Sequence, residues 1–413
     1  MSRTLDVYLN RDLAGHLIQD DDGQMVFGYV HTWLTHPEAV PLSISLPLRK
    51  EQFTQRECRG FFGGILPEAG NRKVIARILQ ISEKNDFAML EQIGGECAGA
   101  ITFVPDGASL PEPADDYREI SDEELTDILR TLPKRPLLAG EKGVRLSLAG
   151  AQDKIAVCVD HAGKIFLPLN YAPSTHVLKP ASAIWKGLVG NEAYCMALAD
   201  AVGIPAAKTT MHQVGDIEYL LSERYDRVVG GNGNIQRLHQ EDFCQALGIA
   251  SDNKYQDEGG PGLKECFALL RVTSSNAVKD LMVLLEAVTF NLLIGNNDAH
   301  AKNFSFLYLP DGSRRLAPLY DLVCTVFYPE IVNKLAMKIG GEANPELVFP
   351  GEFEKFAKDT GLAPALVKRR IPEFAHAVLD AATRIKASGE VVDKVADLIA
   401  KRCESVISRF KRS

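Results

Sequence analysis

The chain has no apolar run near the roughly 18–20 residues of a membrane span. Its opening, MSRTLDVYLNRDLAG, lacks the apolar core of a secretory signal. The expectation is a cytoplasmic protein with no membrane partner. There is no C-x-x-C pair either: the cysteines, at 58, 97, 158, 195, 244, 266, 324 and 403, stand singly, without matching histidine spacing. That pattern excludes a zinc ribbon and a disulfide framework, and leaves buried or incidental thiols. Internal repeats and low-complexity tracts are missing. So is an excess of base, since the net charge is −8. A chain that grips nucleic acid by itself through a wide basic surface is therefore not expected. A local basic patch, or DNA contact through a partner, remains open.

What is present describes an ordinary globular protein. A hydrophobic fraction of 46% and a charged fraction of 24% are enough to fold the whole chain. Its 413 residues, at roughly 100–200 per domain, predict two or three domains. The runs LDVYL and QMVFGYV, separated by the turn-rich QDDDGQ, predict an antiparallel meander at the start of a β-rich N-terminal domain. Val74, Ile75, Ile78 and Leu79 then fall at helical spacing. The stretch DGASLPEPADDYREIS predicts a linker at about 106–120. Ser121 with Glu124 forms a capping box opening a helix through Leu132, which PKRP breaks. A first domain over 1–137 and a second over 138–413 follow.

The second domain begins with β-type runs (KIAVCVD, KIFLPL, THVLKP, IEYLLSERYD) and one helix, GNEAYCMALADAVG, to about 225. From about 226 helices dominate: Leu281, Leu284, Leu285, Val288 and Leu292 share a face, and three long amphipathic segments end the chain. The fold class is α+β.

Chemistry concentrates in GNNDAHAKNFSF, residues 295–306, between an apolar helix and an apolar strand. Asp298 and Asn303 stand five apart, the separation of the base Asp and the metal-binding Asn in a kinase catalytic loop. There a carboxylate faces an incoming hydroxyl while an amide oxygen one short loop away holds Mg²⁺ on the phosphates. Spacing alone leaves a capped polar turn equally open. FSFLYL and RRLAPLYD then predict a hairpin whose second strand ends in Asp321, the place of a second metal-binding carboxylate. Upstream, Ala149-Gly150-Ala151 in RLSLAGAQDKIAV is a small-residue turn suited to anionic oxygens, though it is neither G-x-G-x-x-G nor G-x-x-x-x-G-K-[ST]. The bland reading is a hairpin turn. Lys179 in THVLKP is either a phosphate-binding ammonium or an edge-strand lysine in solvent, with Glu192 in the next helix a candidate ion partner. LLSERYDR, 220–227, closes the β-rich part where an adenine hinge would lie, with Glu223 and Tyr225 acting through backbone atoms and Asp226 through its carboxylate on ribose. A strand end with a salt-bridged charge cluster is the alternative.

The order SLAGAQDK, THVLKP, ERYDR, QEDFCQALG, KYQDEGGPG, DAHAKNFS and PLYD, with PLSISLPL and FFGGILPEAGNR before it, resembles the HipA family of serine/threonine kinases, the toxins of bacterial toxin–antitoxin modules. The resemblance runs over essentially the whole chain. It implies a two-lobed protein-kinase-like C-terminal domain with an all-helical C-lobe, preceded by a smaller β-rich domain. It implies ATP and Mg²⁺ as cofactors. Ala149, Gly150, Ala151, Gln152, Asp153 and Lys154 would form the phosphate loop, Lys179 the phosphate-binding lysine, and Glu223, Arg224 and Tyr225 the adenine hinge, with Asp226 a further ATP contact. Gln240, His300, Ala301, Lys302 and Asn303 would add nucleotide or Mg²⁺ contacts. Asp298 would be the base, Asn303 and Asp321 the metal ligands, and Ser147 the site of autophosphorylation. The implied partners are a HipB-like helix-turn-helix antitoxin, operator DNA mainly through that antitoxin, and a protein substrate such as glutamyl-tRNA synthetase. A small-molecule phosphotransferase and a catalytically dispensable co-repressor are the competing readings.

Overall fold

The structure is a computed structural model and describes residues 2–110, 116–231, 234–385 and 389–412. Its contacts divide the chain into two compact units. The first comprises Met1–Pro180, His212–Asp252 and Leu307–Pro310, the second Ala181–Met211, Asn253–Phe306 and Asp311–Ser413.

The first unit begins with the expected meander. Arg3–Leu9, Asp12–Gln19 and Met25–Tyr29 pair antiparallel, and Ile101–Pro105 joins on the far side of the first strand. Alternation drives this: Leu5, Val7 and Leu9 are buried on one face while the residues between them are not. The meander covers only the start of the segment, because the helices Gln55–Gly64, Ala69–Ile78 and Asp86–Ile93 intervene before the fourth strand. Phe27, Phe53, Phe62 and Phe103 form the core here, with Phe27 and Phe62 ring centroids 5.3 Å apart. Gly60 on the first of these helices faces the backbone of Gly248: a Cβ there would meet the Gly248 carbonyl carbon at 2.5 Å. Only glycine permits that approach.

A second sheet in this unit orders Ile217–Glu223, His176–Pro180, Ile155–Val159, Ile165–Pro168 and Tyr117–Glu119. The expected linker at 106–120 therefore ends in a strand, Tyr117 pairing with Pro168, and residues 111–115 lie outside the described residues. The helix Asp122–Thr131 starts where expected: the Ser121 hydroxyl accepts from the Glu124 N–H at 3.2 Å. The return half of the box is not made, because the Glu124 carboxylate turns to Arg118. Glu96–Cys97 and Leu146–Ser147 form a two-residue parallel pair.

The second unit is built from the helices Leu188–Ala201, Leu263–Thr273, Ala277–Ile294, Pro350–Thr360, Pro364–Arg384 and Glu390–Lys411. Leu284, Leu285, Val288 and Leu292 are buried along Ala277–Ile294. The expectation of an all-helical region from 226 onward is corrected. Residues 227–229, 235–237 and 240–242 are strands of the first unit, while the hairpin expected from FSFLYL and RRLAPLYD is formed by Ser305–Tyr308 and Arg314–Leu316. The cysteines are free thiols, all buried except the half-buried Cys158. Among the described residues no helix is long and apolar enough to cross a membrane.

Candidate active site

The site residues expected from sequence fall into two groups, one per unit. In the first, the phosphate-loop candidate closes on itself: Lys154 donates from Nζ to the Ala149 carbonyl at 2.7 Å. Gly150 sits at φ +102°, and a Cβ on it would stand 2.6 Å from that ammonium, so the turn requires glycine on both counts. The segment Ile65–Asn71 holds the loop from outside. The Glu68 N–H donates to the Gly150 carbonyl at 3.4 Å, and the Asn71 amide donates to the Ala151 carbonyl at 3.0 Å. Burial raises the Asp153 carboxyl, against the hydrogen bond from Asn71 and the charge of Lys154. Gln152 is half-buried and Ala151 exposed at the tip.

Ser147 is fully buried, and its hydroxyl donates to the Ile65 carbonyl at 3.1 Å. Lys179 is 5% exposed on a strand flanked by two others, opposite Leu220. The reading of an edge lysine in solvent is thereby excluded.

The hinge candidate turns inward after Glu223. Arg224, Asp226, Arg227, Arg237 and Glu96 are all buried and form one charge network. Arg224 forks onto Asp226 at 3.0 and 2.8 Å and onto Glu96 at 2.9 Å. Arg227 reaches Glu96 at 2.8 Å, and Arg237 reaches its other oxygen at 2.6 Å. Burial alone would raise the Glu96 carboxyl, but the guanidinium groups of Arg227, Arg237 and Arg224 bring it down to about 2. Asp226 is likewise held ionised against burial, by Arg224 and Arg227, and takes the Gly99 N–H at 2.7 Å. The expectation that its carboxylate reaches a ribose is corrected: three buried guanidinium groups demand anions, and Asp226 answers that demand inside the unit. The same holds for the Arg224 side chain. Gln240 donates to Asp226 at 3.1 Å and accepts from the Tyr225 hydroxyl, so it braces the hinge.

The second group lies on the loop after Ala277–Ile294. Gly295 ends that helix at φ +72°, and a Cβ there would strike Val326 at 2.3 Å. The Asn296 amide donates to the Asn291 side chain at 2.8 Å and to the Asp321 carbonyl at 3.3 Å. Its oxygen accepts from the Asp298 N–H at 3.3 Å. Asn297 is pinned to Thr325 and Asn333, each at 2.8 Å. Asp298 is exposed, while His300 and Lys302 are buried. Residues Ala301–Asn303 form a 3₁₀ turn. Tyr320 bonds the Lys302 carbonyl at 2.6 Å and lies 2.8 Å from the Ser305 hydroxyl, which sets the residue before Asp321 against the loop.

Asp321 does not end the hairpin strand, as expected, but follows Leu316 by five residues at φ +53°. Left-handed backbone at a non-glycine residue is strained, and such strain gathers at functional sites. Asn191 fixes the segment beyond it, donating to the Cys324 carbonyl at 3.1 Å and accepting its N–H at 2.9 Å. Glu192, beside it, is buried.

The Asn303 side-chain oxygen is buried and has no hydrogen-bond partner; the Asn297 oxygen is in the same condition, although the Asn297 amide is used. An unsatisfied buried carbonyl costs about 1–3 kcal/mol, which a hard cation on that oxygen would offset. The Asn303–Asp321 pair thus fits Mg²⁺ in donor chemistry. Among the described residues no group of three or more His, Cys, Asp or Glu is gathered for a metal.

Nothing in the spacing marked Asn71, Asn191, Tyr320 or the tie from Asn296 to Asp321. These are bonds to backbone carbonyls and amides, which no side-chain pattern announces. Asn71 lies in FFGGILPEAGNR, quoted only as part of the resemblance.

A family model for the HipA-like C-terminal domain matches residues 146–382, and one for the HipA N-terminal domain matches 5–104. The chain is 43% identical to a putative kinase, Y4mE, of Sinorhizobium fredii, over 93% of this chain and 92% of that protein. It is 32% identical to the serine/threonine-protein kinase toxin HipA of Shewanella oneidensis, over 90% of this chain and 88% of the toxin. The structure superposes with a TM-score of 0.85, at 29% identity and 99% coverage of each chain, on HipA from the complex of Shewanella oneidensis HipA, HipB and operator DNA. The fold is accordingly the mixed helix-and-sheet, two-domain kinase-like fold of HipA. With family models matching both parts of the chain and the 32% identical HipA toxin covered over 88% of its length, the chain belongs to the HipA family of kinase toxins.

Proposed function

We propose that the protein is an ATP- and Mg²⁺-dependent serine/threonine protein kinase of HipA type, acting in the cytoplasm. Its division into domains at 137/138, with a linker near 106–120 and lobes meeting near 225, belongs to the same reading. Asp298 takes the proton of an incoming hydroxyl as that oxygen bonds to the γ-phosphorus and the bond to the β,γ-bridging oxygen breaks, releasing ADP. Lys179 neutralises phosphate charge. The Ala149–Lys154 loop cradles the phosphates, and the backbone of Glu223–Tyr225 holds adenine. His300, Ala301 and Lys302 complete the nucleotide contacts. Asn303 and Asp321 would hold Mg²⁺, which when bound screens the phosphate oxygens.

The observation that carries this reading is the buried, partnerless oxygen of Asn303 on the same loop as the exposed Asp298, with strained Asp321 tied to that loop through Asn296. Calorimetric titration of Mg-ATP into wild type and Asp321→Ala tests it. Binding to wild type that is lost in the variant is expected, and no binding to wild type sinks the reading.

Ser147 belongs to the proposal as an autophosphorylation site. A phosphate adds about −1.5 to −2 charges, and Ser147 is fully buried with its hydroxyl against the Ile65 carbonyl. The two-residue strand Leu146–Ser147 would have to leave, taking the adjoining phosphate loop with it. Mass spectrometry after incubation with Mg-ATP checks this, and an unmodified Ser147 removes it.

The partners proposed are a HipB-like helix-turn-helix antitoxin and, mainly through it, operator DNA; the net charge of −8 fits delegated DNA contact. The substrate proposed is a translation protein such as glutamyl-tRNA synthetase, with growth arrest when the antitoxin is absent. Asp298→Ala is expected to abolish toxicity.

A further inference from the structure

We propose that Tyr255 is a stand-in for the acceptor hydroxyl: it occupies the place at Asp298 that a serine or threonine hydroxyl takes, and an acceptor reaches the base only by displacing it. The proposal rests on Asp298 being the base.

The Tyr255 hydroxyl donates to Asp298 Oδ1 at 2.8 Å, inside the range a general base needs to its acceptor. The ring is aimed and not just its tip, because it meets His300 edge-on with centroids 5.4 Å apart and planes at 75°. Asp298 is the exposed member of a loop whose other residues are buried or half-buried, so its carboxylate is where a macromolecular acceptor has access. Tyr255 stands in that access.

The segment carrying Tyr255 is latched by bonds built to open. The Gln256 N–H donates to the Ala336 carbonyl at 3.2 Å, and Gln256 accepts from the Lys338 N–H at 2.7 Å. Asp257 pairs with Lys338 at 2.8 Å and with Lys334, and these three side chains are a third to a half exposed. Exposed ion pairs contribute little and are screened by salt. Gly259, at φ +91°, and Gly260, whose N–H returns to the Tyr255 carbonyl at 2.9 Å, supply the turn on which the segment swings. A protein presenting a flexible hydroxyl-bearing loop is the acceptor class this suits. Water and small polyols that cannot move the latch are kept from the transferable phosphate.

The test is single-turnover release of phosphate from Mg-[γ-³²P]ATP, with water as the acceptor, by the full-length chain. Tyr255→Phe keeps the ring against His300 and removes the donor. It is expected to raise phosphate release roughly ten- to 150-fold, the range for losing one hydrogen bond to a charged group. Tyr255→Ala should match or exceed it, with Mg-ATP affinity unchanged by calorimetry and the gain abolished by adding Asp298→Asn. A variant that merely damages the fold lowers both release and binding. Release that is unchanged or slower in both variants, with Mg-ATP still bound, overturns the stand-in and leaves the base assignment intact. A gain that survives Asp298→Asn overturns both. Wild type that does not bind Mg-ATP overturns the kinase reading and this proposal with it.

Discussion

The Asn71 amide reaches across 80 positions of sequence to the carbonyl of Ala151, at 3.0 Å, so a helix of the N-terminal segment fixes the tip of the phosphate-loop candidate. Asn71→Ala removes one hydrogen bond of about 1 kcal/mol. Affinity for Mg-ATP should fall roughly fivefold in a calorimetric titration, with little change in melting temperature. Asn71→Asp should be worse, because it sets a second carboxylate beside Asp153, which Asn71 now serves as a donor.

Asp226 is expected to report on stability. Replacing it with Ala leaves Arg224 and Arg227 buried without one of their two shared anions, and breaking such a buried set costs about 3–5 kcal/mol. Thermal denaturation of Asp226→Ala should show a fall of many degrees. A variant of normal stability with weakened nucleotide binding would restore the carboxylate to a ribose role.

Asn303→Ala separates metal binding from folding. The substitution deletes a buried oxygen that has no partner, so the nucleotide-free melting temperature should hold or rise. The stabilisation produced by Mg-ATP in wild type should shrink or vanish. Equal stabilisation by Mg-ATP in both proteins would show that Asn303 is not a ligand.

Glu241 makes the fold sensitive to pH. Burial raises its carboxyl to about 7 from an ordinary 4.5, against hydrogen bonds from Ser43 at 2.5 Å, from Tyr308 and from the Ile44 N–H at 3.0 Å. A folded-state value above the unfolded one contributes stability that is complete below about 4.5 and lost as pH rises through about 7. Half-buried His176 acts in the opposite direction, since its value is lowered by the burial it has. The comparison therefore has to be with Glu241→Gln, which keeps an acceptor for Ile44 and Tyr308 without the charge. Melting temperatures at pH 5 and pH 8 should show the wild type losing more over that interval than the variant. Parallel curves would mean Glu241 does not titrate there.

The sequence was legible wherever a pattern of side chains is itself the cause of the structure. Alternation placed Arg3–Leu9, the apolar face placed Ala277–Ile294, and Ser121 placed the start of Asp122–Thr131. The Asp298-to-Asn303 loop was legible through spacing. Three things were not. The helix Gln55–Gly64 was not anticipated in a segment read as β-rich, because its polar residues are confined to Gln55–Arg59 and its second half is glycine and phenylalanine, so no apolar spacing runs its length. Asp226 was assigned outward because sequence cannot show that Arg227, Arg237 and Glu96 converge on its neighbourhood from three separate strands or turns. Asp321 was placed at a strand end because strand-like residues continue to Leu319, whereas the hairpin strand ends at Leu316 and Leu319 makes an isolated bridge to Ala206.

The shortest sheet in the protein has the widest reach. Cys97 offers its carbonyl to Arg224 and to Arg227, each at 2.9 Å, and its strand lies beside Ser147. One peptide group thus contacts the hinge candidate and the strand beside Ser147. If adenine settles that hinge and Ser147 is withdrawn on phosphorylation, as proposed, any coupling through this peptide acts equally in both directions: adenine would oppose the withdrawal by the same free energy with which the withdrawal weakens adenine binding.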